Sequence, residues 1–182
     1  MSRIGRLRLE YKKHIGLPWK KNLAGPQRVL FAVYDKEDEL KLRAVLEEWK
    51  LDTIDAGHRF VLVELSGEFS EWMMAQENRE AYFEDPEELL NWLPNFKKQL
   101  AERCAKKIRA ENADDDTVVC LAGVATLFGF VKVAELVELL ADEVPGRLLL
   151  LFPGTHEGNN YQFLDARDGW DYLATPIKLD TE

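Results

Sequence analysis

The sequence lacks long hydrophobic runs and contains little cysteine, and these absences exclude several classes of protein. None of its segments reaches the roughly 20 apolar residues that a membrane-spanning helix requires. Its N-terminal stretch, MSRIGRLRLEYKKHIG, lacks the apolar centre of a secretory signal. We therefore expect a cytoplasmic protein with no membrane contact. Neither Cys104 nor Cys120 has a second Cys or His at ligand spacing, so the sequence predicts neither a disulfide framework nor a metal site.

Catalytic signatures are also missing. The stretch CLAGVATLFGFVK could be compared with a phosphate-binding loop, but five residues separate Gly123 from Gly129. Phe130 and Val131 stand where that loop requires Lys and Ser or Thr. The two glycines instead predict a tight exit turn and close helix packing. There is no Gly-x-Ser-x-Gly sequence and the three histidines are isolated, so the residues indicate a protein that is not an enzyme and has no cofactor.

Charge is unevenly distributed along the 182 residues. The net charge is −9, yet residues 1–28 contain eight Lys or Arg and one acid, so this segment is +7 and the remainder is −16. The segment begins with an amphipathic helix whose apolar stripe is Ile4, Leu7, Tyr11 and Ile15. This helix either packs its stripe on the domain or serves as a docking arm for nucleic acid or an acidic partner. The candidate nucleic-acid contacts are Arg3, Arg6, Lys12, Lys13, Lys20 and Lys21.

Four short apolar runs alternate with helical segments. RVLFAVYD, FVLVEL, TVVCLAG and RLLLLF have the composition of buried strands, and the segment after Tyr161 could add an edge strand. The sequence predicts an α/β fold, a three-layer sandwich with a mainly parallel sheet of about four to five strands, flanked by helices. It would be Rossmann-like or P-loop-like without a nucleotide motif. We expect a basic helix and loop over residues 1–24 and a single α/β domain over residues 25–182.

Local patterns predict the helix boundaries. After the first strand, Asp35 is expected to cap one helix. The apolar residues expected to form the buried face of this helix are spaced by three and four positions: Leu42, Val45, Leu46 and Trp49. Asp85 and Pro86 are expected to begin a longer helix, which Pro94 breaks or kinks.

The stretch LLLLFPGTHEGNNYQFLDARDGWDYL combines an apolar run with many polar groups. Pro153 and Gly154 are expected to end the fourth strand, at the edge where α/β proteins gather functional loops. Carboxylates then recur every third residue and could be imagined to hold a divalent cation: Asp165, Asp168 and Asp171. Metal-dependent phosphodiester cleavage usually adds a lysine, and none follows before Lys178. The pattern favours a structured turn or binding surface over metal chemistry.

Three quoted stretches together resemble the BrxB family of BREX bacteriophage-exclusion systems over nearly the whole chain. They are PWKKNLAGPQRVLFAVYD, LAGVATLFGFVKVAELVELL and LLLLFPGTHEGNNYQFLDARDGWDYLATPI. The most specific element is an apolar strand that ends in Phe-Pro-Gly, and the structural family-motif residues are Phe152, Pro153, Gly154, Gly158 and Gly123. A second element is Gly123-Val124 with Phe128 shortly after. The sequence departs from the commoner pattern, which has Pro where Gly129 stands and a different ending from DGWDYLATPI, and this suggests a divergent branch.

The resemblance implies a non-catalytic role in phage defence. It implies systems that also contain an AAA+ ATPase, an adenine methyltransferase and a PglZ protein with a phosphatase-like fold. We expect an adaptor that binds the PglZ-like partner, through candidate contacts in the tail: Glu157, Asn159, Asn160, Tyr161, Arg167 and Trp170. Trp170 and Tyr172 could instead belong to the core, since a spacing of two puts both on one face of a strand. The alternatives are a degenerate nucleotide-binding or metal-dependent nuclease-like domain, and a subunit that contacts DNA through its basic N-terminal helix.

Overall fold

The computed structural model describes residues 1–166 and 169–179, in which strands and helices alternate. The strands are β1 (Val29–Tyr34), β2 (Arg59–Glu64), β3 (Thr117–Ala122), β4 (Arg147–Glu157), β5 (Asn160–Phe163), β6 (Trp170–Asp171) and β7 (Thr175–Ile177). The helices are α1 (Arg3–Ile15), α2 (Glu39–Ala44), α3 (Leu46–Asp55), α4 (Glu68–Met74), α5 (Arg79–Glu84), α6 (Pro86–Ala110) and α7 (Val133–Ala141). Within the described ranges, none of these helices is long and apolar enough to cross a membrane.

The central sheet is parallel and has the strand order β2–β3–β4–β1–β7. In its register Val29 of β1 lies beside Leu148 of β4, and Arg59 of β2 lies beside Thr117 of β3. Strand β7 supplies the edge strand expected beyond Tyr161. Strand β5 pairs antiparallel with the far end of β4, and β6 pairs with β5. The chain therefore adds a small antiparallel extension to one end of a parallel sheet.

Helices cover both faces of the sheet. Successive residues of a strand face opposite sides, so Phe31 and Leu150 belong to the core beneath α4, α6 and α7. Leu30 and Leu149 belong to the core beneath α1 and α3. The predicted three-layer α/β sandwich is confirmed.

Helix α1 is one of the covering helices. Its stripe of Ile4, Leu7, Tyr11 and Ile15 is buried, as one of the two sequence interpretations expected. The Tyr11 ring stacks on Trp49 at 4.6 Å between centroids, and its hydroxyl shares a 2.6 Å hydrogen bond with Thr53. The division into residues 1–24 and 25–182 stays a prediction. Helix α1 packs on the sheet that the other helices also cover.

The predicted helix after β1 is two helices. Helix α2 ends at Ala44 and α3 begins at Leu46, and Val45 between them has φ −111° and ψ 12°. Leu42 and Trp49 are both buried, so the spacing correctly identified the buried face but not the break. Asp35 does not cap a helix with its side chain, because its carboxylate pairs with Arg3 instead.

Helix α6 continues through Pro94, so the predicted break is wrong, while the alternative of a kink stays a prediction. The helix begins as expected, with the Asp85 carboxylate accepting a hydrogen bond from the Glu87 amide at 3.1 Å. An interior proline costs about 3 kcal/mol. Burial of each apolar side chain beyond it contributes about 1.5–3 kcal/mol, which outweighs that cost. The buried residues are Phe96, Leu100, Cys104, Ala105 and Ile108.

Candidate functional site

The stretch expected to be a loop after Phe152 is strand. Pro153 and Gly154 do not end β4, which continues to Glu157. Pro153 is the last β4 residue beside β1, opposite Tyr34, and Gly154 is the first beside β5, opposite Phe163. A proline lacks a backbone donor and is tolerated where a strand changes or loses a neighbour. Phe-Pro-Gly therefore marks the position at which β4 changes partners.

Two glycines shape the antiparallel extension. A Cβ atom on Gly154 would lie 2.1 Å from the carbonyl oxygen of Gln162, so only glycine allows this close strand pairing. Gly158 has φ +59° and opens the two-residue turn between Glu157 and Asn160. Glycine at the first central position is typical of a type II′ hairpin turn. Gly154 therefore allows the close approach of two strands, and Gly158 allows the turn between them.

The aromatic residues of the tail form part of the core. The Tyr161 ring packs edge-on against Phe31 at 4.4 Å and its hydroxyl donates to the Ala174 carbonyl at 3.1 Å. Tyr161 is fully buried, which contradicts its expected role as a surface contact. Trp170 is half-buried against Phe31 and Tyr172 is buried on the same ring, so the alternative that both pack on the core describes them better.

The remaining contact candidates lie at the tip of the extension. Glu157, Asn159 and Asn160 are exposed, and the Asn160 amide donates to Asp171 at 3.3 Å. Arg167, together with Asp168, lies outside the described residues. The exposed tip is polar, and its apolar neighbours face inward.

The tail carboxylates that the structure describes are engaged by other side chains of the protein. Asp165 pairs with Lys36, and Asp171 accepts from Asn160. Across residues 1–166 and 169–179, no group of three His, Cys, Asp or Glu side chains could hold a metal ion. The tail sequence has no lysine near these carboxylates, but Lys36 lies beside Asp165 in the structure. Lys36 follows β1, and β1 is the neighbour of β4 in the sheet. Its hydrogen bond to Asp165 raises the pKa of Lys36.

A small recess lies between the carboxyl ends of β1 and β4, where α/β proteins bind ligands. Its volume is about 170 Å³, and Arg3 pairs with Asp35 on its wall. The His156 ring lies there, 4.3 Å from the Tyr161 ring, and its Nδ1 is buried without a partner among the described residues. Burial and the charge of Lys178 lower the pKa of His156. The mixed charges of this recess match no single ligand class.

Gly123, the first glycine of the loop after β3, lies against a carboxylate of the protein itself. Gly123 has φ +75°, and a Cβ there would lie 2.2 Å from Glu64 Oε1. The Glu64 carboxylate accepts from Arg43, at 2.8 Å, and from Ser66. Burial would raise the pKa of Glu64, but the hydrogen bonds from Ser66 and Arg43 lower it. Gly129 has φ +83° with open space around it, so it serves the turn and not the close helix packing expected of it.

Most basic residues of α1 already pair with acids of this domain. Arg3 pairs with Asp35, Lys12 with Asp52 at 2.8 Å, and Lys13 with Glu10 at 2.7 Å, while Arg6 is exposed on the helix. Arg8, which lies outside the candidate set, also pairs with the buried Asp52. Lys20 and Lys21 follow the helix and are exposed. The sequence could not show that Arg8 and Lys12 pair with Asp52, because Asp52 lies on α3.

Sequence reasoning missed an apolar groove formed by α4, α5 and the start of α6. Its volume is about 530 Å³, and Phe69 stacks on Phe130 at 3.8 Å in its wall. Met74 and Phe83 line it and are 73% and 72% exposed. Tyr82 is buried beside Phe83, and two adjacent aromatic residues on a helix cannot both face the core. That Tyr-Phe pair is the sequence signal that could have indicated an exposed apolar surface.

Carboxylates are frequent in the chain segment that contributes Tyr82, Phe83 and Pro86 to the groove. The exposed acids of residues 77–88 are Glu77, Glu80, Glu84, Asp85, Glu87 and Glu88. The segment contains one base, Arg79, which donates to the Met74 carbonyl at 3.2 Å. None of the six acids forms a salt bridge within the part of the chain that the structure describes. The segment of residues 77–88 therefore combines apolar residues that line the groove with exposed carboxylates that have no salt-bridge partner in the described ranges.

Comparison with protein families identifies a family that matches most of the chain. A family model described as "BREX protein BrxB" matches residues 60–177. The range runs from β2 to β7 and contains the Gly123 loop and the Phe-Pro-Gly strand, but not α1, β1 or the stretch PWKKNLAGPQRVLFAVYD. No curated protein and no solved structure matches the chain.

Proposed function

The chain belongs to the BrxB family and is a component of a BREX phage-defence system, and we propose that its role there is that of a non-catalytic adaptor. In this proposal it binds a PglZ-like partner and holds it in the defence complex, where the AAA+ ATPase and the methyltransferase are further candidate partners. Among the described residues, Asp165 pairs with Lys36, Asp171 accepts from Asn160, and Gly123 lies against the Glu64 carboxylate, and these contacts favour this role over a nuclease-like or nucleotide-binding one.

The observation that carries the proposal is the exposed apolar groove of α4–α6. Large contiguous apolar surfaces are unusual on monomeric proteins and mark interaction sites. Met and aromatic side chains are enriched in the centres of interfaces, while the rim is polar. Met74 and Phe83 would be the central contacts, because both are largely exposed and lie in the groove.

The charge of residues 77–88, which include groove-lining residues, indicates the chemistry of the occupant. Six exposed carboxylates without salt-bridge partners in the described ranges would repel an acidic segment. They would attract Lys and Arg, chiefly by accelerating association. The groove therefore suits a basic amphipathic helix of the PglZ-like partner, with its apolar face in the groove.

Co-purification of the PglZ-like partner from cells that contain the whole system tests this proposal. We expect Met74→Ser and Phe83→Ser each to weaken capture by about tenfold or more, which corresponds to the loss of an interface residue worth more than 1 kcal/mol. Leu173→Ser is the matched control, because Leu173 is also 73% exposed and lies away from the groove.

The outcomes separate the two parts of the proposal. If the wild-type protein does not capture a PglZ-like partner, the adaptor role itself is wrong. If capture is normal in both groove variants, the partner is bound elsewhere, and the exposed tip with Glu157, Asn159 and Asn160 becomes the surface to alter. Arg167 and Trp170 would be altered in the same series, whereas Tyr161→Ala is expected to act through the core.

A further inference from the structure

A second recess lies at the opposite edge of the sheet, where the strands begin. Arg28 directly precedes β1, Arg147 begins β4, and Asp115 and Asp116 precede β3. The loop after α1 closes the recess with Trp19, Lys20 and Lys21, and the volume is about 460 Å³. This loop belongs to the chain segment that the sequence marked as strongly basic.

Arg147 is a buried cation without a carboxylate. The residue is 9% exposed, and its guanidinium donates to the carbonyl oxygens of Gly146 and Lys20, both at 3.2 Å. Its guanidinium lies 4.5 Å from the centre of the Trp19 ring. No acid of residues 1–166 or 169–179 forms a salt bridge with it. Arginine is rarely buried unless it is paired, because removing the charge from water costs several kcal/mol.

The surrounding bases are also uncompensated. Arg28 donates only to backbone carbonyls, of Pro145 and Ala141 at 3.2 Å, and its Nε is buried with no partner in the described ranges. Lys20 and Lys21 are exposed, and each lacks a salt bridge to any described residue. Together with Arg147, these residues place four cations around one recess. Burial and the nearby charge of Arg28 lower the pKa of Arg147, as expected for neighbouring positive charges.

The acids of the recess do not balance this charge. Asp116 pairs with the ring of His58, and Asp115 is exposed on the rim, so the recess retains an excess of two positive charges. The whole chain carries −9, so this excess stands against the prevailing sign of the protein. Trp19 already stacks on the His58 ring at 3.9 Å between centroids and contacts the Arg147 guanidinium.

We infer that this recess binds the phosphate group of a small phosphorylated ligand. Guanidinium groups present forked donors that match phosphate oxygens, and Arg147 retains donors beyond the two that bond carbonyls. Arg28 supplies a second fork, and the lysines supply charges at the mouth. A dianionic phosphate matches the charge excess. A long DNA duplex fits this recess less well than a small phosphorylated ligand, because its other phosphates would be repelled by the acidic residues elsewhere on the protein surface.

Isothermal titration with sodium pyrophosphate at constant ionic strength tests the inference, followed by the same titration with ADP and with adenosine. We expect saturable binding of pyrophosphate and ADP and none of adenosine. Arg147→Met should weaken pyrophosphate binding by about 10- to 100-fold, the loss expected for hydrogen bonds to a charged group. Lys13→Met is the control, because it removes one positive charge from α1 outside the recess, and its affinity should equal that of the wild type.

Lys20→Met and Lys21→Met keep the inference testable if Arg147→Met fails to fold, since both lysines are exposed. We expect each to weaken pyrophosphate binding by about threefold or more, as for a charged contact near a surface. Equal binding of pyrophosphate and ADP would identify the phosphates as the recognised group, and tighter binding of ADP would add a contribution from the nucleoside. The inference is overturned if no phosphate binds, if sulfate binds as tightly, or if only duplex DNA binds.

Discussion

Two buried charged residues of this protein differ in whether an opposite charge accompanies them. One is Asp52, in the contact between α1 and α3, and the other is Arg147, in the recess at the start of the strands. Asp52 beneath α1 is 2% exposed and receives hydrogen bonds from Arg8 at 2.5 Å and Lys12 at 2.8 Å. Arg147 in the recess is 9% exposed and forms no salt bridge with an acid of the described residues. A compensated charge stabilises the fold, whereas an uncompensated one is retained at a cost and indicates a ligand.

The same comparison separates the basic residues of the first 28 positions. Those on α1 mostly pair with acids of the domain, and those after it surround the recess. The uneven charge visible in the sequence is therefore two features. The basic residues of α1 bind it to neighbouring acids, chiefly those of α3, and the basic residues after α1 leave positive charge around the recess.

The largest effect is expected at the compensated charge. Asp52→Asn should lower the free energy of unfolding by about 2–3 kcal/mol, which is below the 3–5 kcal/mol typical of a fully buried pair. The reduction is smaller because Arg8 keeps its contact with Glu48 and Lys12 is half-exposed. Urea denaturation measures this difference. Glu10→Gln, in the exposed pair with Lys13, is the control and should change stability by less than about 0.5 kcal/mol.

The pH dependence of stability sharpens the contrast. Burial alone would raise the pKa of Asp52, but the hydrogen bonds and charges of Arg8 and Lys12 outweigh it and lower the pKa. A depressed carboxylate pKa stabilises the folded state above the unfolded value of about 3.9, and this contribution is lost as the pH falls below that value. The stability difference between wild type and Asp52→Asn should therefore shrink between about pH 4 and pH 2. A constant difference over this range would contradict the assignment.

The smallest effect is expected at the uncompensated charge. Without phosphate, Arg147→Met should change the free energy of unfolding by less than about 1 kcal/mol, because the lost hydrogen bonds are offset by removal of a buried charge. Denaturation in a buffer free of multivalent anions measures it. A loss as large as that of Asp52→Asn would show that the fold itself depends on Arg147, and the comparison between the two charges would fail.

Much of the fold could be predicted because its signals are local. Val29–Tyr34 and Thr117–Ala122 are apolar runs of strand length, and Ile4, Leu7, Tyr11 and Ile15 follow the helical period. The errors occurred where tertiary contacts override local preference. Burial along α6 carries the helix through Pro94, and pairing with β5 carries β4 through Pro153.

The candidate sites were harder to predict because their members are distant in sequence. The tail was expected to present Tyr161, yet an aromatic residue on a strand can face either side, and the hairpin turns this one into the core. The groove depends on how three short helices meet, and the recess joins Lys20 with Arg147 across most of the chain. Sequence patterns report which face of an element is apolar, but they do not report what faces it.

By itself the sequence determined the alternation of strands and helices, the parallel sheet covered on both faces, and the family marked by Phe152, Pro153 and Gly154. Those properties follow from the period of apolar residues and from backbone limits on proline and glycine, which act over a few positions. Tertiary structure alone decided which charges are compensated. Salt bridges form across space, so only the packing of α1 on α3 gives Asp52 its partners, and only the meeting of the loop with β4 leaves Arg147 without one.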